Sequence, residues 1–372
     1  MTRFGKWYKE VVMPAGLLAA LIIGAGMFAL PYVFSEAGFV TGFFYLALFA
    51  AVFGTVHLMY AEVIIGTKGE HRFVGYAQIY LGTGAKSVSV VTTLVGLLLT
   101  LAIYIILSVS FIKLVFPAIP STAAAIAFWA LGSMVIVFSL KKLAILESIV
   151  TPALIGIVLI LFIFGVSAVG TVSLPGISGN LPKLFLPYGI VLFSLSGRAA
   201  ISSVRDYYRK NKLDEGRIGQ AIALGTIVPA VIYFIFAVSV FWLSPNGVSL
   251  ESVSGLAFIP PVLLGLVGIL GFVSIWDSYF FLCLEAKDIF VYDFGLPSVA
   301  ATGLALATPL ALYFYGNQNL LGFMGVAGGI FLAIESVLVV LMRNRLKRIG
   351  AWGYFIITVF VTGALYELAK LF

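Results

Sequence analysis

Three polar residues, Ser274, Asp277 and Ser278, interrupt the apolar stretch GFVSIWDSYFF. Their spacing of i, i+3 and i+4 puts them on one face of a helix. A carboxylate in the middle of a membrane-spanning helix costs about 3 kcal/mol on insertion scales and therefore marks a functional site by default. Such a carboxylate can bind a hard cation or take up a proton. The alternative is a static ion pair, most obviously with Arg198.

A second unusual pattern is the glycine pair in LIIGAGMFALPY, which runs from Leu21 to Tyr32. Gly24 and Gly26 lie where an unbroken membrane helix would otherwise be expected, and Pro31 follows them. Close packing between helices through small residues would explain the glycines alone. Glycine also lets the backbone leave the helix, and the amide and carbonyl groups freed in this way attract a carboxylate and an ammonium group.

The stretch LPYGIVLFSLSGRAAISS repeats this interruption further along the chain. Ser194, Ser196 and Gly197 replace apolar residues in the middle of a predicted span. Spans one and six occupy equivalent positions if the chain consists of two halves of five spans each. Matching interruptions in two halves are typical of inverted-repeat transporters, whose unwound helices expose backbone dipoles at the membrane midplane. The pattern therefore predicts a site for a zwitterion such as an amino acid.

The composition indicates an integral membrane protein. Of the 372 residues, 62% are hydrophobic and 10% are charged, and the mean hydropathy is +1.15. Soluble domains contain about a quarter charged residues. The apolar runs recur along the whole chain, are about 20 residues long and lack the two-residue alternation of a β-barrel. The predicted fold class is therefore all-α.

A single polytopic membrane domain is predicted over residues 1–372, with eleven membrane-spanning helices. A first repeat at about 12–170 and a second at about 184–342 form a 5+5 inverted repeat with helices one and six broken, and an extra helix follows at about 351–369. The predicted spans are Val12–Ser35, Val40–Gly66, Ser87–Phe116, Thr122–Leu140, Ser148–Gly170, Leu184–Ser203, Ile218–Leu243, Gly255–Leu284, Pro297–Tyr315, Leu320–Met342 and Ala351–Ala369.

The distribution of positive charge predicts the orientation of the chain in the cell membrane. With a cytoplasmic N-terminus, 18 of the 22 Lys and Arg residues fall in inner loops and three fall on the outer side. The positive-inside rule therefore predicts a cytoplasmic N-terminus and, after eleven spans, an outer C-terminus. The net charge of +7 reflects this bias, and no basic stripe with interleaved aromatic residues indicates nucleic-acid binding.

Several motifs resemble one family. IIGAGMFALPYVFSEAGF resembles the first span of the hydroxy and aromatic amino acid permeases (tryptophan and tyrosine permeases), which belong to the amino acid/auxin permease group of the APC superfamily. FSLSGRAAISSVRDYY resembles the sixth span of that family, and HLMYAEVIIGTKGE, IGQAIALGTIVPAVIY and DSYFFLCLEAKDIFVYDFG resemble its second, seventh and eighth. The resemblance implies the leucine-transporter fold and an amino acid symporter that works by alternating access.

The resemblance also implies a substrate site at the two breaks. The substrate carboxylate is expected to meet the amides of residues 24–26, and its ammonium group to meet carbonyls near Ile23, Phe193 and Ser194. The ring of Phe193 would be the lid of the site, although simple packing is an alternative role. Tyr104 could close the opposite side, or form only a hydrogen bond between helices. The expected substrate-binding residues are Ile23, Gly24, Ala25, Gly26, Tyr104, Phe193, Ser194, Ser196 and Gly197.

The same resemblance implies an ion site that couples transport to a gradient. Its expected residues are Ala20, Ile23, Ser274, Asp277 and Ser278, with carbonyls from the first span and side chains from the eighth. Sodium-coupled relatives have Thr-Ser where this chain has Asp-Ser, so Asp277 is expected either to bind Na⁺ directly or to take up H⁺. The fifth span has no lysine that could supply the charge instead, and no other cofactor is expected.

Other functional classes are less compatible with the sequence. Two histidines, one cysteine and the absence of an HExxH or nucleophile-elbow motif leave too few residues for a membrane enzyme. A passive channel, or a carrier for another small zwitterion or amine, is the remaining alternative. A transported metal ion is not expected, because the broken first span lacks an acidic metal motif.

The remaining ionisable residues within spans are expected to be structural. His57 is predicted to be neutral and to bridge two helices rather than relay protons. Most of the membrane glutamates lie within two turns of a predicted helix end, where their side chains can reach the headgroups. These glutamates are Glu62, Glu147, Glu285, Glu335 and Glu367.

Overall fold

The computed structural model describes residues 3–69, 71–138, 144–169 and 180–371. Within these ranges the chain is helical and contains no strand. Helices satisfy their own backbone hydrogen bonds, which lipid is unable to do, so continuous apolar runs of this kind fold as helices. The predicted all-α class is confirmed.

The helices follow one another with short connections. In chain order they are α1 (Arg3–Trp7), a π-helical turn (Tyr8–Val12), α2 (Met13–Ile22), a 3₁₀ segment (Ala25–Ala29), α3 (Leu30–Ala37), α4 (Phe39–Gly66), α5 (Phe73–Leu81), α6 (Thr83–Val115), α7 (Ser121–Phe138), α8 (Ala144–Val169), a 3₁₀ turn (Leu181–Lys183), α9 (Pro187–Leu195), α10 (Arg198–Lys210), a 3₁₀ turn (Glu215–Arg217), α11 (Ile218–Leu243), α12 (Pro261–Tyr292), α13 (Ser298–Tyr315), α14 (Leu320–Val326), a π-helical segment (Ala327–Leu332), α15 (Ala333–Leu346) and α16 (Ala351–Ala369).

The first span is broken, as predicted. Helix α2 ends at Ile22, Ile23 is extended, and Gly24 has φ −152° and ψ −149° before the 3₁₀ segment begins. Helix α3 then starts with Pro31 in its first turn, where the missing N–H of proline has no helical partner to lose. The two parts of the span, Phe4–Ile22 and Ala25–Ala37, are bent by 52°.

The sixth span is also broken, at the serine and glycine that the sequence analysis identified. Helix α9 ends at Leu195, and α10 begins at Arg198. Ser196 between them has an extended backbone with ψ 122°, and Gly197 has φ −139° and ψ 10°. The described structure therefore confirms that both predicted spans are interrupted, which is the condition for exposing backbone groups inside the membrane.

The number of spans differs in one respect from the prediction. In the described ranges, nine helices are long and apolar enough to cross a membrane, and the broken first span makes ten. Helix α7, the predicted fourth span, has a shorter apolar stretch, Ser121–Met134, and residues 139–143 lie outside the described ranges. The predicted total of eleven spans therefore depends on whether α7 crosses the membrane.

The eighth span begins and ends several residues later in the chain than predicted. Residues 255–260 form a loop, and α12 begins at Pro261, where proline favours the first helical turn. The helix continues to Tyr292 rather than ending at Leu284. As a result, Asp277 lies at the middle of a long helix, and Glu285 lies inside it rather than at its end.

Two groups of helices surround the breaks. Helix α11 packs on α2, α4 and α8, and α10 packs on α2 and α4. Helix α12 packs on α6, α7, α8 and α13. The two broken spans meet closely, because a Cβ atom added at Gly26 would lie 2.5 Å from the Cα atom of Ser194. Only glycine allows this approach of the 3₁₀ segment to the end of α9.

Candidate functional site

A cavity of about 140 Å³ lies where the two breaks meet. Its apolar wall includes Phe193 and Phe331, and its polar groups come from both breaks and from α6, α12 and α15. Ala199, in the first turn of α10, lines the cavity beside Arg198 and is itself exposed. The predicted substrate residues on its wall are Gly24, Ala25, Gly26, Tyr104, Phe193, Ser194, Ser196 and Gly197.

The backbone of the first break presents amide groups to this cavity. Ala25 and Gly26 start the 3₁₀ segment, so their N–H groups have no partner within that segment. A Cβ atom added at Gly24 would have no heavy atom within 4 Å, which shows that open space lies beside the backbone there. The partial positive charge at the start of a helical segment attracts anions, so this end of the cavity can hold a carboxylate.

The carbonyl groups at the breaks already have a donor from a neighbouring helix. The hydroxyl of Tyr233 on α11 donates to the carbonyl oxygen of Ile22 and lies 3.0 Å from that of Ser194. One hydroxyl thus lies within hydrogen-bonding distance of carbonyls at the end of α2 and at the end of α9, and its single hydrogen is shared between them. A carbonyl oxygen has two lone pairs, so that of Ser194 keeps one acceptor site. The sequence analysis missed Tyr233, whose position in an apolar run carries no local signal.

His57 holds the other side of the sixth break. The N–H of Gly197 donates to Nε2 of His57 at 3.2 Å. The Nδ1 atom lies 3.1 Å from the hydroxyl of Thr226, whose hydrogen is donated to the carbonyl of Ile222. The Thr226 oxygen must therefore accept from His57, which places the imidazole proton on Nδ1 and leaves Nε2 as the acceptor. This network supports the predicted role of His57 as a neutral bridge between helices.

Two aromatic side chains border the cavity on opposite sides. Tyr104, in the middle of α6, is buried, and its hydroxyl interacts with the Ser278 hydroxyl on α12. Phe193 is half-buried at the end of α9. The hydroxyl of Ser194 donates to the carbonyl of Ile190 at 2.7 Å, so the hydrogen of this hydroxyl is already used within α9.

The residues expected to bind the coupling ion lie behind the cavity wall. Ser274 and Asp277 are buried on α12, and this helix contacts the 3₁₀ segment of the first break. Ile23 is buried at that break, and Ala20 is half-buried in α2. In the described structure none of these four residues lines the cavity. Ser278 links them to it, through its contact with Tyr104.

An ion pair that the sequence analysis missed forms the other end of the cavity. Arg198 donates through Nε to Oε2 of Glu335 at 3.0 Å, and its Nη2 lies 2.9 Å from the same oxygen. The hydroxyl of Thr93 donates to Oε1 of Glu335 at 2.6 Å. Glu335 is 3% exposed, so its carboxylate does not reach the headgroups as expected. Arg198 thus pairs with Glu335, and not with Asp277 as the alternative in the sequence analysis supposed.

Comparison with known proteins identifies the family. Residues 8–248 match the tryptophan/tyrosine permease family. The chain belongs to this family. A search of curated proteins by sequence found no match. The resemblance of the first and sixth spans to these permeases is thereby confirmed.

Solved structures share the fold of this permease at low sequence identity. MhsT in complex with L-phenylalanine has a TM-score of 0.67 and 16% identity, and the match covers 99% of the permease and 98% of MhsT. A mutant manganese transporter of Eremococcus coleocola has a TM-score of 0.65 and 15% identity, with 99% and 88% covered. Mhp1, a nucleobase-cation-symport-1 family transporter, has a TM-score of 0.58 and 12% identity, with 96% and 91% covered.

These similarities show that the permease has the leucine-transporter fold and is a multi-pass membrane transporter. At such low sequence identities, these similarities establish the fold but do not identify the substrate. The chemistry of the site must therefore be argued from the cavity, its amide groups and its ion pair.

Proposed function

We propose that the permease is a secondary active transporter that carries a neutral or aromatic amino acid together with H⁺ or Na⁺ by alternating access. The observation that supports this function best is the meeting of two broken helices at one cavity. A backbone that leaves the helix inside a membrane is tolerated only where it is buried or lines a cavity, and it is then available to a ligand.

The substrate would bind across the breaks. Its carboxylate would accept hydrogen bonds from the amides of residues 24–26, and its ammonium group would donate to carbonyls near Ile23, Phe193 and Ser194. The Tyr233 hydroxyl lies 3.0 Å from the carbonyl oxygen of Ser194, and a carbonyl oxygen has two lone pairs, so the ammonium would still find an acceptor there. The Phe193 ring would cover the substrate, and Tyr104, Ser196 and Gly197 would complete the pocket.

The apolar wall supports a hydrophobic side chain in the substrate. Leu97, Phe193, Leu282 and Phe331 line the cavity and would contact such a side chain. MhsT was solved with L-phenylalanine, which makes aromatic amino acids the first to test. Mn²⁺ belongs in the same panel, because a manganese transporter shares the fold.

Asp277 would bind the coupling ion. Asp277 is buried on α12, a helix that contacts the 3₁₀ segment of the first break, so an ion bound there would stabilise one arrangement of α12 against that break. Na⁺ would take the carboxylate with Ser274, Ser278 and carbonyls of Ala20 and Ile23, whereas H⁺ would need the carboxylate alone. With the N-terminus in the cytoplasm, the end of the cavity at Arg198 would lie on the cytoplasmic side.

Uptake into proteoliposomes tests this function. Labelled amino acids and Mn²⁺ are offered under a pH gradient or a Na⁺ gradient imposed separately. We expect saturable accumulation of an amino acid above equilibrium under one gradient. Flux that does not saturate, or that only equilibrates, would favour the passive channel instead.

The variant Asp277→Asn tests the ion site in the same assay. We expect gradient-driven uptake to fall to the level of empty liposomes, while the protein still inserts and elutes as a single species. Asp293→Asn is the matched control, because Asp293 follows the same helix and is exposed. Normal uptake by the Asp277 variant would remove this residue from the coupling mechanism.

A further inference from the structure

The polar end of the cavity, formed by Thr93, Arg198, Glu285 and Glu335, contains more acidic than basic side chains. One guanidinium faces two carboxylates there. Placing an unbalanced charge inside a membrane protein is unfavourable, so one of the two carboxylates is stabilised by holding a proton.

Glu335 is the carboxylate that the guanidinium of Arg198 contacts. Its Oε2 accepts from two nitrogens of Arg198, and its Oε1 accepts from Thr93. Ionised carboxylates only accept hydrogen bonds, so every contact of Glu335 fits the charged form. Adding a proton would remove an acceptor from a group that is nearly fully buried.

Glu285 is the carboxylate without a cation of its own. It lines the same cavity from α12 and is half-buried, and within the described ranges it forms no ion pair. Glu285 and the exposed Ala199 line the same cavity, which would serve as the route by which a proton arrives and leaves.

The surroundings of Glu285 within the described ranges come from four elements and its own helix. Arg72 pairs with Asp288 at 2.8 Å, so these two charges offset each other near Glu285. His57 and Tyr60 lie on α4, the helix on which α10 with Arg198 packs. The charged and titratable groups facing this end are Arg198 on α10, Glu335 on α15, Arg72 before α5, Asp288 on α12, and His57 and Tyr60 on α4.

We propose that Glu285 is a proton-binding site of the transport cycle, with the Arg198–Glu335 pair as its counter-charge. The inference rests on the proposed function for its role in transport, but the binding site itself does not. A proton from water forms an O–H bond with the Glu285 carboxylate and returns to water when that bond breaks. No other reactant is needed.

The position of Arg198 explains how this proton acts on the substrate site. Arg198 directly follows Gly197, so a force on its guanidinium acts on the sixth break. When Glu285 is protonated, Arg198 stays on Glu335, as in the structure. When Glu285 loses the proton, its carboxylate attracts the same guanidinium toward α12 and weakens the link to α15. Release of the proton from Glu285 is thereby coupled to a structural change at the sixth break.

Infrared difference spectra of the purified permease in lipid nanodiscs, recorded across a step from acidic to neutral pH, test the site without any substrate. We expect a carboxylic acid C=O band in the natural protein that disappears in Glu285→Gln. Glu62→Gln is the matched control, because Glu62 is exposed and pairs with Arg343 outside the cavity. A band that persists unchanged in Glu285→Gln would overturn the proposal.

Glu285→Asp provides a second variant in case Glu285→Gln does not fold. It keeps a titratable group, so its band should remain but shift in frequency and in the pH of its midpoint. An Asp variant with the spectrum of the natural protein would also overturn the proposal, because the band would then come from another residue.

A transport measurement then tests the role of the site. If the permease carries an amino acid, Glu285→Gln should retain exchange of labelled for unlabelled substrate and lose accumulation driven by a pH gradient. Accumulation that persists would refute the role in coupling. A spectral band without any amino acid transport would instead refute the proposed function and keep the proton site.

Discussion

Two side chains from neighbouring helices make the broken backbone compatible with a membrane. The hydroxyl of Tyr233 lies within hydrogen-bonding distance of carbonyls at both breaks, and His57 accepts from the N–H of Gly197. Hydrocarbon offers no alternative partner, so each unsatisfied backbone group would be strongly unfavourable. At the scale of single residues, the site is therefore held open by side chains that do not need to touch the substrate.

Tyr233→Phe should destabilise the permease while keeping its fold. The variant removes the hydroxyl that approaches the carbonyls of both Ile22 and Ser194, and side-chain hydrogen bonds in membrane proteins contribute about 1–2 kcal/mol at most. We expect a lower melting temperature and weaker substrate binding, measured by fluorescence-detected thermal unfolding and by a binding assay.

Tyr313→Phe is the matched control for this prediction. Tyr313 is also a buried tyrosine, but its hydroxyl has no hydrogen-bond partner among the described residues. Its replacement should be neutral or slightly stabilising, because no bond is lost. Equal destabilisation by both variants would contradict the role assigned to the Tyr233 hydroxyl.

At the scale of the elements, two glycines of the first break have different tasks. Gly26 permits the 3₁₀ segment to approach the end of α9, whereas Gly24 faces open space beside the cavity. The same residue type thus serves close packing at one position and room for a ligand at the other. Both explanations that the sequence left open for the glycine pair are therefore represented in one motif.

Substitution by alanine separates these two tasks. Gly26→Ala would place its methyl group 2.5 Å from a backbone atom of Ser194. We expect about 1–3 kcal/mol of destabilisation from this overpacking, together with loss of substrate binding. Thermal unfolding and equilibrium binding are the measurements.

Gly24→Ala is the companion variant. Its methyl group meets no heavy atom within 4 Å, so the melting temperature should be close to that of the natural protein. Substrate affinity should still fall, because the methyl group takes space beside the amides of the first break. If Gly24→Ala unfolded as readily as Gly26→Ala, the assignment of open space at Gly24 would be wrong.

At the scale of the whole molecule, the ends of several helices place the polar end of the cavity toward one membrane face. Arg198 begins the helix that leads to Lys210, Glu285 lies in the second half of α12, and Glu335 lies just past the middle of the span Leu320–Leu346. The loops at this face are those that the positive-inside rule predicts to be cytoplasmic. Orientation in the membrane therefore decides which compartment the cavity of the structure serves.

Labelling of single cysteines measures this orientation. Cys283 is the only cysteine and is buried, so Cys283→Ala provides a suitable background. Asn246→Cys and Lys210→Cys replace exposed residues in loops predicted to lie on opposite sides. In intact cells, a membrane-impermeant thiol reagent should label position 246 and leave position 210 unlabelled until the cells are opened. The reverse pattern would invert the predicted topology.

Local sequence signals determined the class of the protein and the positions of both breaks. Apolar runs without two-residue alternation predict membrane helices, because a helix satisfies its own backbone hydrogen bonds. Gly26 and Gly197 mark the breaks because a Cβ atom at either position would lie closer than 3 Å to a neighbouring atom, and Gly24 begins the first break beside open space. The boundaries of α12 were predicted less well, since a loop rich in apolar residues precedes Pro261 and resembles a helix by composition.

The partners across the site were decided only by the tertiary structure. The bonds from Tyr233 to Ile22, His57 to Gly197, and Arg198 to Glu335 join residues 211, 140 and 137 positions apart. Each of these side chains lies in an apolar run, where hydropathy reports burial but not direction. Which helix faces which is set by packing of the whole bundle, so the chemistry at the polar end of the cavity emerges only once the helices are assembled.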